Sequence, residues 1–177
     1  MKDEILSIFP EINEIKDTKL REKVVATWVS AMNRSDLTLD DLRGMPFTLL
    51  VSEVNVTFVE HVRTVCRMCI ACWDVLHDAY SERLKVDRDL LITSAMLADV
   101  GKVHEITKKD GKFVKSEPGK LLRHPFSGVG LAWEQGLPEE VLHVIGTHSK
   151  EAAGGRRSPE GIIFHHADFI DFELVGG

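Results

Sequence analysis

The sequence predicts an all-α fold of about six or seven helices with one small β-hairpin. Apolar residues recur at helical spacing over long segments, helix-capping signals precede several of them, and short β-capable runs flank one Asp-Gly pair. With 177 residues, of which 44% are hydrophobic, the chain can bury a substantial core. We therefore expect a single domain over residues 1–177, with residues 1–50 as a helical extension packed on a core of residues 51–177.

The composition argues against several classes of protein. The net charge of −6 disfavours general nucleic-acid binding, which needs a basic surface. No apolar run approaches the length of a membrane span, and the first residues lack the basic segment and long apolar segment of a secretory signal. We therefore expect a cytoplasmic protein that binds neither nucleic acid nor membranes.

Cys66, Cys69 and Cys72 are spaced three residues apart in a segment with helical periodicity. The odd number of thiols fits a reducing compartment, and we interpret all three as small core residues rather than metal ligands. Apolar residues near the C-terminus could pack internally or against a second copy of the chain, so we keep a homodimer as an option.

The first helices have clear starts. Residues 18–34 form an amphipathic helix whose apolar face comprises Val24, Val25, Trp28, Val29 and Met32. Thr38 and Thr57 are each followed three residues later by an acidic residue, which is the capping-box pattern at a helix start. The second box opens a long helix that we expect to end near Tyr80.

The remaining elements follow from caps and turns. Asp87 or Asp89 caps the next helix, which is expected to end at Asp99. Within residues 103–115, the Asp110-Gly111 pair between two β-capable runs predicts a hairpin. Further helices are expected at 120–135, 138–148 and 158–173, the last two separated by a loop at 152–157.

Asp99 is the residue on which the functional hypothesis depends. A carboxylate at the end of a buried apolar helix costs free energy unless a positive charge, such as a metal ion, meets it. Imidazole and carboxylate groups bind first-row transition metals. Taken singly, each nearby histidine has an ordinary structural explanation. Taken together, they favour a metal site formed by Asp99, His61 and Asp168, and His124 and His148 could complete a neighbouring second site.

The order of these residues resembles the HD-domain superfamily of metal-dependent phosphohydrolases. The segments that carry the resemblance, between about residues 56 and 172, are EHVR, LADVGK, LLRHPFSG and HHADF. It implies a helical HD-domain bundle with one or two divalent transition metals, for which Fe, Mn, Zn, Co and Ni are all suitable. It also implies that Asp99 bridges a first ion, bound by His61 and Asp168, and a second ion, bound by His124 and His148.

The sequence departs from the family at position 98, where Ala98 stands in place of the histidine that precedes the aspartate. The three remaining ligands of the first ion could still hold a catalytic metal with open positions. Alternatively, the site could be weakened so that the fold serves binding or regulation, or Ala98 could be a substitution that traps substrate. Glu105, seven residues further on, could face the substrate or lie behind the ligands.

The resemblance implies a hydrolase of a small phosphate ester or nucleotide-like substrate, acting through metal-activated water. Basic side chains near the ligands would bind the anionic substrate, and the candidates are Lys102, Lys120, Arg123 and Lys150. We assign catalytic roles to Asp99 and Lys102. One alternative is a di-iron oxygenase that cleaves a small organic substrate, and another is an inactivated module that binds ligand without turnover.

Overall fold

The computed structural model describes residues 1–50, 55–150 and 154–175, and helices dominate it. The helices are α1 (Lys2–Ile8), α2 (Thr18–Asn33), α3 (Leu39–Gly44), α4 (Phe58–Tyr80), α5 (Arg88–Leu97), α6 (Lys102–Glu105), α7 (Glu117–Leu121), α8 (His124–Glu134), α9 (Glu139–Thr147) and α10 (Pro159–Val175). Two strands, β1 (Ile106–Lys109) and β2 (Lys112–Lys115), form an antiparallel hairpin. The longer helices are α2, α4, α5, α8, α9 and α10, so the predicted all-α fold is confirmed.

The predicted helix starts are present. Thr38 and Thr57 both form reciprocal capping boxes with the acidic residue three positions later. Of the two candidate caps of α5, Asp87 accepts a hydrogen bond from the Leu90 N–H. Asp89 instead accepts from the backbone N–H groups of residues 16 and 17, at 3.0 and 2.7 Å. It therefore ties the start of α5 to the segment that precedes α2.

Helix α5 ends at Leu97, two residues earlier than expected. Asp99 lies in the turn that follows, where its carbonyl accepts a hydrogen bond from the Lys102 N–H at 2.9 Å. Every residue from Leu91 to Gly101 is buried. The turn therefore presents the Asp99 carboxylate inside the protein rather than to solvent.

The segment expected to form one helix over 120–135 contains two. Helix α7 ends at Leu121, Arg123 has an extended backbone, and α8 begins at His124. Pro125 explains the break, because proline lacks a backbone N–H and therefore suits the first turn of a new helix. The loop expected at 152–157 is described only from residue 154, and residues 152 and 153 lie outside the described ranges.

The predicted hairpin is present. Its strands pair with Ile106 opposite Lys115 and Lys109 opposite Lys112. Asp110 and Gly111 connect them with φ values of +50° and +76°. Positive φ at both central residues is the signature of a type I′ turn, for which Asp-Gly is a preferred sequence.

Helix α5 is the centre of the hydrophobic core and packs against α2, α4, α9 and α10. Trp28 of α2 is buried, and its indole N–H donates to the Met96 carbonyl at 3.1 Å. Residues 1–50 thus contribute to the same core, and their status as an extension of one domain stays a prediction. Across the described parts of the chain, every helix is too short or too polar to cross a lipid bilayer.

The cysteines divide between core and surface. Cys66 and Cys69 are buried in α4, whereas Cys72 is exposed, which corrects the expectation that all three are core residues. Six residues of helix place Cys72 about 120° around the axis from Cys66, which is enough to leave the buried face. Burial raises the pKa of both the Cys66 and the Cys69 thiol, so they are protonated core side chains.

Candidate metal centre

The turn containing Asp99 packs directly against the start of α8. Gly101 makes this possible, because a Cβ atom at this position would lie 2.2 Å from the His124 carbonyl oxygen and 2.9 Å from the Gly128 nitrogen. Any side chain at position 101 would push the two segments apart. The close backbone contact brings the Asp99 carboxylate within reach of the His124 imidazole.

On one side of Asp99 lies the His61 group, which we define as His61, Asp99 and Asp168. The His61 Nε2 atom lies 3.3 Å from Asp99 Oδ2 and 3.2 Å from Asp168 Oδ1. Its other ring nitrogen, Nδ1, is 2.7 Å from Asp171 Oδ2. Because a carboxylate accepts hydrogen bonds, Nδ1 carries a proton, and in the neutral ring the Nε2 lone pair faces the two aspartates.

On the other side lies the His148 group, defined as Asp99, His124 and His148. The two Nε2 atoms are 3.2 Å apart, and they lie 3.4 and 3.6 Å from Asp99 Oδ1. His124 Nδ1 donates to Glu105 Oε2, and His148 Nδ1 donates to the Ile145 carbonyl, both at 2.7 Å. In the neutral rings, both Nε2 lone pairs therefore point toward each other and toward a carboxylate oxygen.

This arrangement of donors fits a cation. Lone pairs that converge at such distances repel one another unless a proton or a metal ion lies between them. In each group, the potential ligand atoms all lie within 4.8 Å of one another. Imidazole and carboxylate are the ligands expected for a divalent transition metal, so each group could hold one. Asp99 belongs to both groups through different oxygens.

The electrostatics of the metal-free groups agree with this need for positive charge. Burial opposes ionisation of Asp99, yet Lys102, His148 and His61 hold its pKa well below the usual range. Burial also favours neutral His61, but hydrogen bonds to three aspartates raise its pKa to about 10. Without a metal ion, a proton on His61 therefore supplies positive charge to this group.

Lys102 also contacts Asp99 directly. Its Nζ atom donates to Asp99 Oδ2 and to the Phe47 carbonyl, both at 2.9 Å. The ammonium group thus shares Oδ2 with the His61 imidazole. The side chain is 15% exposed and faces the cavity described below.

Two carboxylates orient the histidines, and only one of them, Glu105, was a candidate from the sequence. Asp171 accepts a hydrogen bond from His61 and was not assigned this role. Its spacing was a usable sequence signal, because residues three apart on a helix, such as Asp168 and Asp171 on α10, lie on nearly the same face. Glu105, expected to face substrate or lie behind the ligands, accepts from both the backbone N–H and Nδ1 of His124. Burial opposes its ionisation, but the bonds to His124 lower the pKa of Glu105 to about 2.

A cavity of about 770 Å³ opens above the two groups. Three of the four basic residues expected to bind substrate line it, namely Lys102, Arg123 and Lys150, and Lys115 of β2 joins them. Lys120 is not among the lining residues of the described chain. It is exposed and pairs with Glu117 at 2.7 Å. The cavity wall also contains apolar aromatic residues, namely Phe47, Phe113, Phe169 and Phe172.

The comparison with known families decides the identity of the fold. Residues 58–173 match the family model described as the HD domain. The chain belongs to the HD-domain family. It is also 30% identical over 169 residues to the dihydroneopterin 2′,3′-cyclic phosphate phosphodiesterase of Methanocaldococcus jannaschii. The match covers 91% of this chain and 66% of that relative, and no solved structure matches the chain.

The HD-domain assignment makes position 98 significant. Ala98 caps the end of α5 and is 1% exposed, directly before Asp99. Its methyl group cannot bind a metal. Among the described residues, the His, Cys, Asp and Glu side chains that converge in the His61 group are His61, Asp99 and Asp168.

Proposed function

We propose that this HD-domain protein is a metal-dependent hydrolase of a small phosphate ester. One observation carries the proposal. A single buried carboxylate, Asp99, is shared by two groups of metal-binding side chains at the floor of a cavity with basic residues in its wall. This arrangement suits a reaction in which an anionic group is bound next to divalent metal.

We assign the side chains separate roles. His61, Asp168, His124 and His148 would hold metal together with Asp99. A divalent ion held there would act as a Lewis acid on the phosphoryl group and make a water molecule more acidic. Lys102, Arg123 and Lys150 would bind and orient the phosphate oxygens from the cavity wall.

We further propose that the substrate is a cyclic phosphate diester carrying a flat ring system. The relative from Methanocaldococcus jannaschii is named for activity on such a diester. The cavity offers matching surfaces, because aromatic side chains stack on flat rings and basic side chains attract phosphate. Phe113 of β2 and Phe169 of α10 lie among the lining residues with the basic groups, so ring and phosphate could be held together.

The test is hydrolysis of three probes with added Mn²⁺ or Fe²⁺ in the absence of oxygen: a 2′,3′-cyclic nucleotide, a linear diester and a phosphate monoester. We expect the cyclic diester to be cleaved fastest and Asp168→Ala to abolish the reaction. Glu173→Ala, which changes an exposed carboxylate on the same helix, should retain full activity. Activity that survives Asp168→Ala would contradict the assignment of that ligand.

Ala98 favours a second candidate, a module that binds the phosphate ester without turnover. Its methyl group removes one metal ligand from the family pattern. In that case the cyclic diester would bind, as measured by calorimetry, while no metal supports hydrolysis. Restoration of hydrolysis by Ala98→His would then identify the missing imidazole as the cause. Product formation that requires oxygen and iron would instead indicate the oxygenase alternative.

A further inference from the structure

We propose that the two halves of this centre bind metal with unequal affinity, an inference that rests on the proposed metal-dependent function. The His148 group holds one ion tightly, and the His61 group takes a second ion only weakly. Such a protein exists mainly with one ion bound when metal is scarce. The argument depends on the donors, on the charge of Lys102 and on burial.

The groups have three donors each, but the donors differ in kind. The His148 group supplies two imidazoles and one carboxylate oxygen, whereas the His61 group supplies one imidazole and two carboxylates. Imidazole is the better ligand for Zn²⁺, Fe²⁺ and Ni²⁺, while carboxylates suit Mg²⁺ and Mn²⁺. The family pattern has a histidine at position 98, directly before Asp99, and such a histidine would give the His61 group a second imidazole. Ala98 therefore accounts for the difference.

Lys102 adds a second difference, and it acts on one oxygen of Asp99. Its ammonium group lies 2.9 Å from Oδ2, the oxygen that faces His61. The oxygen that faces His124 and His148 is Oδ1. A divalent ion in the His61 group must therefore share its carboxylate oxygen with a fixed positive charge, which repels it.

Burial supports the same order of affinity. The side chains of His124 and His148 are 8% and 3% exposed, whereas that of Asp168 is 18% exposed. Orientation does not separate the groups, since Nδ1 of each of the three histidines is held at 2.7 Å by an acceptor. The unequal affinity therefore comes from the donor set, from Lys102 and from the greater exposure of Asp168.

The test is a titration of the metal-free protein with Co²⁺. Binding is monitored by the visible absorption of the bound ion and by native mass spectrometry. We expect the first Co²⁺ to bind at least about tenfold more tightly than the second. His148→Gln should remove the tight ion, and His124→Gln provides the same test should the first variant fold poorly. Asp168→Asn should remove only the weak ion.

Two substitutions should raise the affinity for the weakly bound ion. Ala98→His restores an imidazole and Lys102→Met removes the competing charge while keeping the apolar stem, so each should bring the second affinity closer to the first. The proposal is overturned if both ions bind equally in the unchanged protein, or if Asp168→Asn removes the tight ion. These readouts do not require hydrolysis, so unequal binding in an inactive protein would contradict the proposed function while supporting this inference.

Discussion

The His61 group and the His148 group share one carboxylate, yet they are assembled differently. Two long helices build the first, since α4 carries His61 and α10 carries both Asp168 and the orienting Asp171. Short segments build the second: Glu105 ends α6, His124 begins α8 and His148 follows α9. The first group thus depends on the packing of helices, and the second on close contacts between turns. Each half can therefore be perturbed by itself.

The largest effect is expected from Asp99→Asn, which removes the carboxylate that joins the two groups. Both metal ions and all hydrolytic activity should be lost, because the His148 group keeps no carboxylate and the His61 group keeps only that of Asp168. Elemental analysis of the desalted protein would measure the metal content. Asp78→Asn, at an exposed position on α4, is the control and should bind metal normally. Near-normal metal content in Asp99→Asn would contradict the shared role of Asp99.

A more selective loss is expected from Gly101→Ala. The added methyl group would meet the His124 carbonyl and should separate the Asp99 turn from α8, which lowers the free energy of unfolding by about 3 kcal/mol. The affinity for the tightly bound ion should also fall, whereas global unfolding alone would abolish the binding of both ions. Chemical denaturation and Co²⁺ titration would measure the two effects.

Gly130 provides the matched control for that substitution. It lies in the same helix as His124, is exposed, and has no atoms within 4 Å of a Cβ built on it. Gly130→Ala should leave metal binding unchanged and raise the free energy of unfolding by up to about 1 kcal/mol, because alanine favours helix more than glycine does. Equal destabilisation by both substitutions would refute the close-contact argument.

The orienting carboxylates permit a direct contrast between the groups. Glu105→Gln removes the charged acceptor behind His124 and should lower the affinity for the first Co²⁺ by about 10–100-fold. Asp171→Asn removes the corresponding acceptor behind His61 and should lower the affinity for the second Co²⁺ alone. Both affinities come from the same titration. If the two variants gave identical binding curves, the separation into two groups would be wrong.

The smallest effect is expected far from the metal, at the ion pair between Asp41 and Lys108, which ties α3 to the hairpin at 2.6 Å. Hydrogen bonds from Lys108 and Thr38 lower the pKa of Asp41 from 3.8 to about 2. The ionised carboxylate therefore stabilises the fold fully above pH 4, and this contribution is lost as the pH falls toward 2.

Asp41→Asn should accordingly lower the free energy of unfolding at neutral pH by at most about 1 kcal/mol, as for other partly exposed ion pairs. The difference from the unchanged protein should shrink between pH 4 and pH 2. Denaturation curves at several pH values would measure it, and Asp110→Asn in the exposed hairpin turn serves as the control. Metal affinity should be unaffected, which would show that the two groups respond only to changes near them.

The sequence alone determined the main helices, the capping boxes and the hairpin, because those signals act between residues a few positions apart. It also gave the order of residues that resembles the HD-domain family, including the substitution at Ala98. Helix ends within buried segments were harder to place. Asp99 was expected to end a helix and lies instead in a turn whose position depends on the packing of Gly101 against α8.

Only the tertiary structure decided which side chains serve the centre. Asp171 meets His61 across 110 positions of the chain, and Glu105 meets His124 across 19. The sequence favoured Lys102 over Lys120, but both were candidates for substrate binding. In the structure Lys120 pairs with Glu117 and does not line the cavity, whereas Lys102 contacts Asp99. Local patterns specify backbone conformation through neighbouring residues, but they do not specify the distance between helices. That distance is set by core packing, and it determines which polar groups share a buried space.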